Sequence, residues 1–329
     1  MAWFFLSLTA FLFWSGSDFF SKLGSHPRDK QSHWKMVMAV GLVMGLHAAY
    51  EMIFNGVSIT FSDILAYLPA SALYIGSMVL GYVGLRYIEL SVSSPICNCS
   101  GALAAVFCFL FLQELPAPIG WVGVACIAVG LVALAIVERR ESDEAKDLRR
   151  AEGIKYSRSV LALLLPLLYC LLDALGTFID AVILREEDTG TFFDILPTLA
   201  EEKANVCYEL TFLFMGILAA IYVFVIRRER LIPAAAELAE EGKTPKQHLV
   251  RHELPKLAAG ACETAGQFAY VFALADTAHV GFSAAIISSY CAMSVLLSRL
   301  FLKEKLSLWH YLAILVAFAG IMILGISDP

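Results

Sequence analysis

Five stretches of this chain, Ile64–Leu85, Ser91–Leu112, Ile119–Val137, Leu210–Ile226 and Val280–Ser298, contain no charged residue. Each is close to the roughly 20 helical residues that cross the ~30 Å hydrocarbon layer of a bilayer. Lipid offers no hydrogen-bond partner to a backbone, so such stretches must be helices or strands of a closed barrel. Strand alternation is absent, which leaves helices. Composition agrees: 59% of the 329 residues are hydrophobic and 16% charged. An average soluble domain has roughly 45–50% and 25%.

Five further runs, interrupted by one or two ionisable residues, bring the expected spans to ten: 2–21, 34–54, 64–86, 91–112, 118–137, 159–182, 206–226, 256–275, 280–300 and 307–326. The first 20 residues lack a basic n-region and a small-residue cleavage site and carry Asp18. They are expected as a membrane helix rather than a secretion leader. Trp3, Trp34, Trp121 and Trp309 fall near span ends, where an indole prefers the interface. Gly41/Gly45 and Gly81/Gly84 have the spacing of close helix contacts. The eight cysteines lie almost wholly in apolar runs and are expected to be small buried thiols, without metal or disulfide.

Basic residues sort the loops by side. Of 24 lysines and arginines, 22 follow odd-numbered spans, and the other side holds only Arg185 and Lys203. The positive-inside rule makes the odd-span loops cytoplasmic and both termini external in a multi-pass cell-membrane protein. Residues 138–158 form a charged, flexible or partly helical linker between halves. Residues 227–256 form a cytoplasmic loop with an Ala/Glu-rich stretch suited to an interfacial helix. No basic, aromatic-interleaved patch points to nucleic acid.

The two halves resemble each other. Glu114 and Glu304, Gly130 and Gly320, Phe111 and Phe301, Leu112 and Leu302, and Ser93 and Ser283 all share an offset of 190. Tyr82 matches Tyr270 after a two-residue slip. Spans 1–5 therefore correspond to spans 6–10, and an odd number of spans per repeat inverts one copy relative to the other. Residues 1–137 and 159–329 are the expected repeats: an all-α integral membrane fold of ten transmembrane helices in two inverted five-helix units. Inverted repeats with a mid-membrane site at their interface are a common secondary-transporter architecture.

Ser93-Ser94-Pro95, the small-residue helix to Gln113-Glu114-Leu115-Pro116, and Gly120-Trp121 through Gly130 resemble the signature of the drug/metabolite transporter superfamily, EamA branch. A second copy ends in Lys303-Glu304-Lys305 and Gly320. Gln113 and Lys303 stand where the pattern usually has Gly, and the external termini are closer to the sugar-uptake relatives of the superfamily. The resemblance covers residues 2–326 and implies secondary transport of a small metabolite, leaving the substrate open.

Ionisable residues inside spans are costly and tend to face a cavity. Asp173, Thr177 and Asp180 share one face of the sixth span; Glu263, Gln267 and Tyr270 share one face of the eighth, with Thr264 beside them. Asp173 and Glu263 are expected to face a central cavity and to bind a substrate or a proton. Asn98 and Tyr290, near repeat-equivalent positions with Ser288 and Ser289, are further candidates. Asp18 is another, although Lys22 one turn on permits an ion pair. His47 and Glu51 are expected to snorkel at the outer end of the second span. Pro95 is expected to break the fourth span; Glu114, Glu304, Asp276 and His279 are expected in loops as caps.

Two acids and few bases at depth favour an amine-bearing or hydroxylated solute over a bare anion. The expected function is therefore alternating-access transport of a small polar metabolite by a monomer or homodimer. No cofactor is required, and coupling to protons runs through Asp173 or Glu263. A sugar-uptake-type permease is the alternative within the superfamily. A membrane-embedded enzyme or non-transporting scaffold is the alternative outside it, but no H-E-x-x-H or G-x-S-x-G pattern supports catalysis.

Overall fold

A computed structural model describes residues 2–24, 31–84, 97–112, 118–151, 160–185, 190–232, 244–276, 278–302 and 306–327. Pro95, Ser93, Ser94, Arg86, Gln113, Glu114, Lys303, Glu304 and Lys305 lie outside the described residues, as do positions 152–158 of the linker and 233–243 of the long loop.

The described residues are helical, without strands. The helices are α1 (Ala2–Gly24), α2 (Ser32–Phe54), α3 (Phe61–Gly84), α4 (Ser100–Phe107), α5 (Pro118–Ala151), α6 (Val160–Ile183), α7 (Glu201–Ala220), α8 (Leu254–Leu274), α9 (Val280–Ser288), α10 (Tyr290–Leu302) and α11 (Leu308–Ser327). Wider π turns extend α4 over Cys108–Leu112 and α7 over Ile221–Ile226. Five stretches are long and apolar enough to cross a membrane: Ser32–Phe54, Phe61–Gly81, Leu164–Ile183, Glu201–Ile226 and Val280–Leu297. Large apolar side chains stand outward on these stretches and on α1 and α11, among them Leu46, Ile53, Phe214, Phe5, Leu315 and Met322. A water-soluble surface rarely carries so much contiguous apolar area. In a bilayer the same belt is solvated by lipid tails, and the chain is a multi-pass membrane protein.

Local chemistry sets the helix ends. The Thr60 hydroxyl accepts from the Asp63 amide at 3.2 Å, and the Asp63 carboxylate accepts from the Thr60 amide at 2.9 Å. This reciprocal cap starts α3. After α2 the chain turns at Gly56, whose φ of +74° is open to glycine without steric cost. Within the helices, hydroxyls return to carbonyls one turn back: Ser7 to Trp3, Ser15 to Phe11, Thr211 to Cys207 and Thr264 to Gly260. Such back-bonding satisfies a polar group where water cannot.

The helices pack in pairs: α1 with α8, α3 with α6, α2 with α7, α4 with α9 and α5 with α11. Small residues let backbones meet. A Cβ at Gly41 would stand 2.8 Å from the Phe212 carbonyl, and one at Gly320 would stand 2.7 Å from the Gly123 carbonyl. One apolar core joins α1, α2, α3, α6, α7 and α8; a second joins α1, α5, α9, α10 and α11.

Several side chains depart from the expectations of the sequence. Trp3 is buried, stacked on His279 with ring centroids 4.7 Å apart, because α1 packs its first turn against α9 rather than the interface. His47 does not snorkel: its Nδ1 lies 2.7 Å from Oε1 of Glu209, a carboxylate with no solvent exposure on the partnering helix α7. Within the expected cytoplasmic loop 227–256, His248 and His252 are buried on a helical approach to α8, beside a Glu253–Lys256 ion pair of 2.6 Å. The helix begun at Pro118 continues through Ala151, into the charged stretch between halves.

Candidate functional site

Two of the paired helices are interrupted. A turn at Asn98 and Cys99 precedes α4, and Ser289 separates α9 from α10. These breaks fall at nearly equivalent places in the two halves, since the 190-residue offset carries 98 to 288. They are brought together by the packing of α4 on α9, where a Cβ added to Gly101 would collide with the Ser288 side chain and the Ala284 carbonyl. Broken helices release backbone polar groups that a membrane tolerates only where they are buried in protein or line a cavity.

Such a cavity, of about 130 Å3, lies beside both breaks. Its walls include Asp18, Asn98, Asp173, Glu263, Gln267 and Tyr290, which are six of the eight residues expected as site residues. No lysine, arginine or histidine is among its lining residues that the structure describes. The acids are held by hydroxyls from neighbouring helices. Ser100 Oγ donates to Asp173 Oδ2 at 2.6 Å, and Ser77 Oγ donates to Oδ1 at 3.3 Å. Ser17 Oγ donates to Glu263 Oε2 at 2.7 Å. Asp173 on α6 is thus tied to α3 through Ser77 and to α4 through Ser100, and Glu263 on α8 is tied to α1 through Ser17.

Thr177 and Tyr270 stand behind the cavity rather than in its lining. The Tyr270 hydroxyl lies 2.7 Å from Thr177 Oγ1 and meets the hydroxyl of Tyr74, a residue that lines the cavity. Tyr74 also donates to Asp180 Oδ2 at 3.3 Å, and Tyr67 donates to Oδ1 at 2.6 Å. Asp180 is fully buried. This hydrogen-bonded cluster ties α3, α6 and α8 together on the side of the cavity nearer Asp63. Beyond it, Phe178 packs edge-on against Phe193 at 4.9 Å, with Phe111 5.6 Å from Phe178. Arg185 closes the same end by donating to the carbonyls of Val182, Asp194 and Leu196. The space itself extends the other way, past Met78 and Gly81 on α3 and Asp18 and Ser21 on α1, toward the end that carries Gly24.

Trp14, Tyr74, Tyr169 and Tyr208 also line the cavity and were not singled out from the sequence. Trp14 had a usable signal: it is the one tryptophan placed mid-span rather than near a span end. Aromatic residues in apolar runs, such as Tyr74 and Tyr169, carry no such mark.

The EamA-like transporter family matches residues 1–136 and 206–326. A solved structure titled "Crystal structure of protein" superimposes with a TM-score of 0.64 at 14% identity, covering 98% of this chain and 95% of that one. That likeness is one of fold alone. No curated protein matches the sequence. With two regions matched that together cover most of its length, the chain belongs to the EamA-like transporter family.

Proposed function

We propose that this protein is a secondary transporter that moves a small amine-bearing or hydroxylated solute by alternating access, with Asp173 and Glu263 as its substrate- and proton-binding carboxylates. The observation that carries this reading is a central cavity lined, among the described residues, by three acids and no basic residue, set where two interrupted helices meet. An ammonium group suits such walls; a bare anion does not.

The arrangement of ten spans in two inverted five-helix units draws support from the packing. Counting α9 and α10 as one broken span and α11 as the tenth, an exchange of halves turns the α1–α8 contact into the α6–α3 contact. The α2–α7, α4–α9 and α5–α11 contacts map onto themselves. Such a pattern suits halves that rock against each other around a fixed site. With the basic loops cytoplasmic and the termini outside, the Asp63 end faces out and is shut by the tyrosine–aspartate cluster. The described conformation is then the inward-facing one. The protein works as a monomer or homodimer without a cofactor, and a proton replaces the solute on Asp173 or Glu263 during return.

The test is flux into proteoliposomes holding wild type, Asp173→Asn or Glu263→Gln, with and without an imposed pH gradient. A lost hydrogen bond to a charged partner is worth roughly 1.5–3 kcal/mol. Each variant should therefore lower amine flux by about tenfold or more and remove its response to the gradient. Unchanged flux in both variants would refute the assignment.

A further inference from the structure

Most buried polar atoms around the cavity are already engaged, but two donors on its wall are not. Nε1 of Trp14 and Nε2 of Gln267 are both buried and have no hydrogen-bond partner among the described residues. Gln267 is 3% exposed. A buried N–H without an acceptor costs about 1–3 kcal/mol, so such groups call for an explanation. Both donors border the same space: a Cβ on Gly266 would stand 2.7 Å from Trp14 Nε1, which puts the indole edge against α8 one residue before Gln267. The same indole packs on Tyr270, with ring centroids 4.9 Å apart.

Glu263 lies one helical turn before Gln267 on α8, so their side chains root on one face roughly 6 Å apart. The wall thus has an acidic pole at Asp173 and Glu263 and a neutral donor pole at Gln267 and Trp14. We propose that the cavity selects a small bifunctional solute, a primary amine that also carries a neutral acceptor oxygen two or three carbons away. Amino alcohols and amino amides have this chemistry. The ammonium sits between Asp173 and Glu263, and the hydroxyl or carbonyl oxygen accepts from Gln267 and Trp14. A carboxylate in place of that oxygen is rejected, because the described residues that line the space include three acids and no cation. Size sets a second limit: an apolar cavity of about 150 Å3 holds a benzene molecule. A space of about 130 Å3 therefore takes a solute of comparable bulk. This selectivity rests on the transport reading above, since it concerns the same cavity.

Binding to the purified full-length protein tests it without requiring flux. The probes are 3-amino-1-propanol, glycinamide, n-butylamine, 1,3-propanediol and β-alanine, with wild type, Gln267→Leu and Trp14→Phe. One net hydrogen bond corresponds to roughly a 3- to 10-fold change in affinity. The amino alcohol and amino amide should bind at least about fivefold tighter than butylamine, and the diol and β-alanine far more weakly. Gln267→Leu and Trp14→Phe should each bring the ratio of amino alcohol to butylamine affinity toward one. A thermal melt matching that of wild type shows that each variant is folded. A preference that survives both substitutions, or β-alanine binding as tight as the amino alcohol, overturns the bifunctional selectivity and leaves the amine site standing. If no amine binds wild type at all, the acid-lined cavity is not an amine site and both readings fall.

Discussion

The imidazole Nδ1 of His47 on α2 lies 2.7 Å from Oε1 of Glu209 on α7, and its other nitrogen lies 3.6 Å from Glu51. Glu209 is wholly buried and also accepts from the Asn205 amide at 3.1 Å. This contact fastens two helices away from the central cavity, and it gives the pair an asymmetry. The His47 side chain is part-exposed and can turn toward the surface if its partner is lost, whereas the Glu209 side chain stays buried.

Removal of the histidine should therefore hurt more than neutralisation of the acid. His47→Leu leaves an unpaired buried carboxylate, a lesion worth about 3 kcal/mol or more. Glu209→Gln keeps the shape and a hydrogen-bonding group, at a cost near 1 kcal/mol. The double variant His47→Leu/Glu209→Leu should recover most of the loss, since apolar replacement of a buried pair is often close to neutral. Thermal unfolding in detergent ranks the three. Equal destabilisation by both single variants would contradict the asymmetry.

Packing at the helix breaks makes a second prediction. At Gly101 an added methyl collides with the Ser288 side chain and with the Ala284 carbonyl, which is backbone and cannot rotate away. Gly101→Ala should cost about 1–3 kcal/mol as overpacking and should move α4 away from α9 beside the cavity. Gly76→Ala is the matched control: its Cβ would rest 3.6 Å from Leu172 Cδ1, an ordinary contact. There the helix gains roughly 0.5–1 kcal/mol relative to glycine. Opposite signs of the melting-temperature shift for the two substitutions are the expected result.

What the sequence made legible follows from what a bilayer enforces. Apolar run lengths placed the helices, because hydrocarbon thickness leaves little freedom. The spacing of Asp173 from Asp180 and of Glu263 from Gln267 put each set on one face, since helical period alone decides that. The roles of Arg185, Trp3 and His47 were not legible. Arg185 was counted as a loop charge, yet it is 6% exposed and spends its guanidinium on three carbonyls. Trp3 and His47 were assigned by distance from a span end, while neighbouring helices decided their burial. The break at Ser289 has no glycine or proline beside it, so only its repeat relation to Asn98 hinted at it.

The tyrosine–aspartate cluster yields the last prediction. Tyr74 links Asp180 on α6 to Tyr270 on α8 through its hydroxyl, and Tyr270 continues to Thr177. These bonds hold three helices together at the Asp63 end, which the proposed alternating-access cycle requires to separate. Tyr74→Phe deletes both contacts without creating a cavity, because the ring and its packing on Tyr208 remain. The lost bonds are worth about 1–2 kcal/mol together, which shifts an equilibrium roughly 5- to 30-fold. Amide hydrogen exchange over residues 178–184 should accelerate by that factor in Tyr74→Phe. Tyr50→Phe, an exposed site on α2, should leave those amides unchanged. Asp180→Asn should act in the same direction as Tyr74→Phe, since it weakens the acceptor shared by Tyr67 and Tyr74. If exchange at this end stays at the wild-type rate in both cluster variants, the cluster is packing rather than closure.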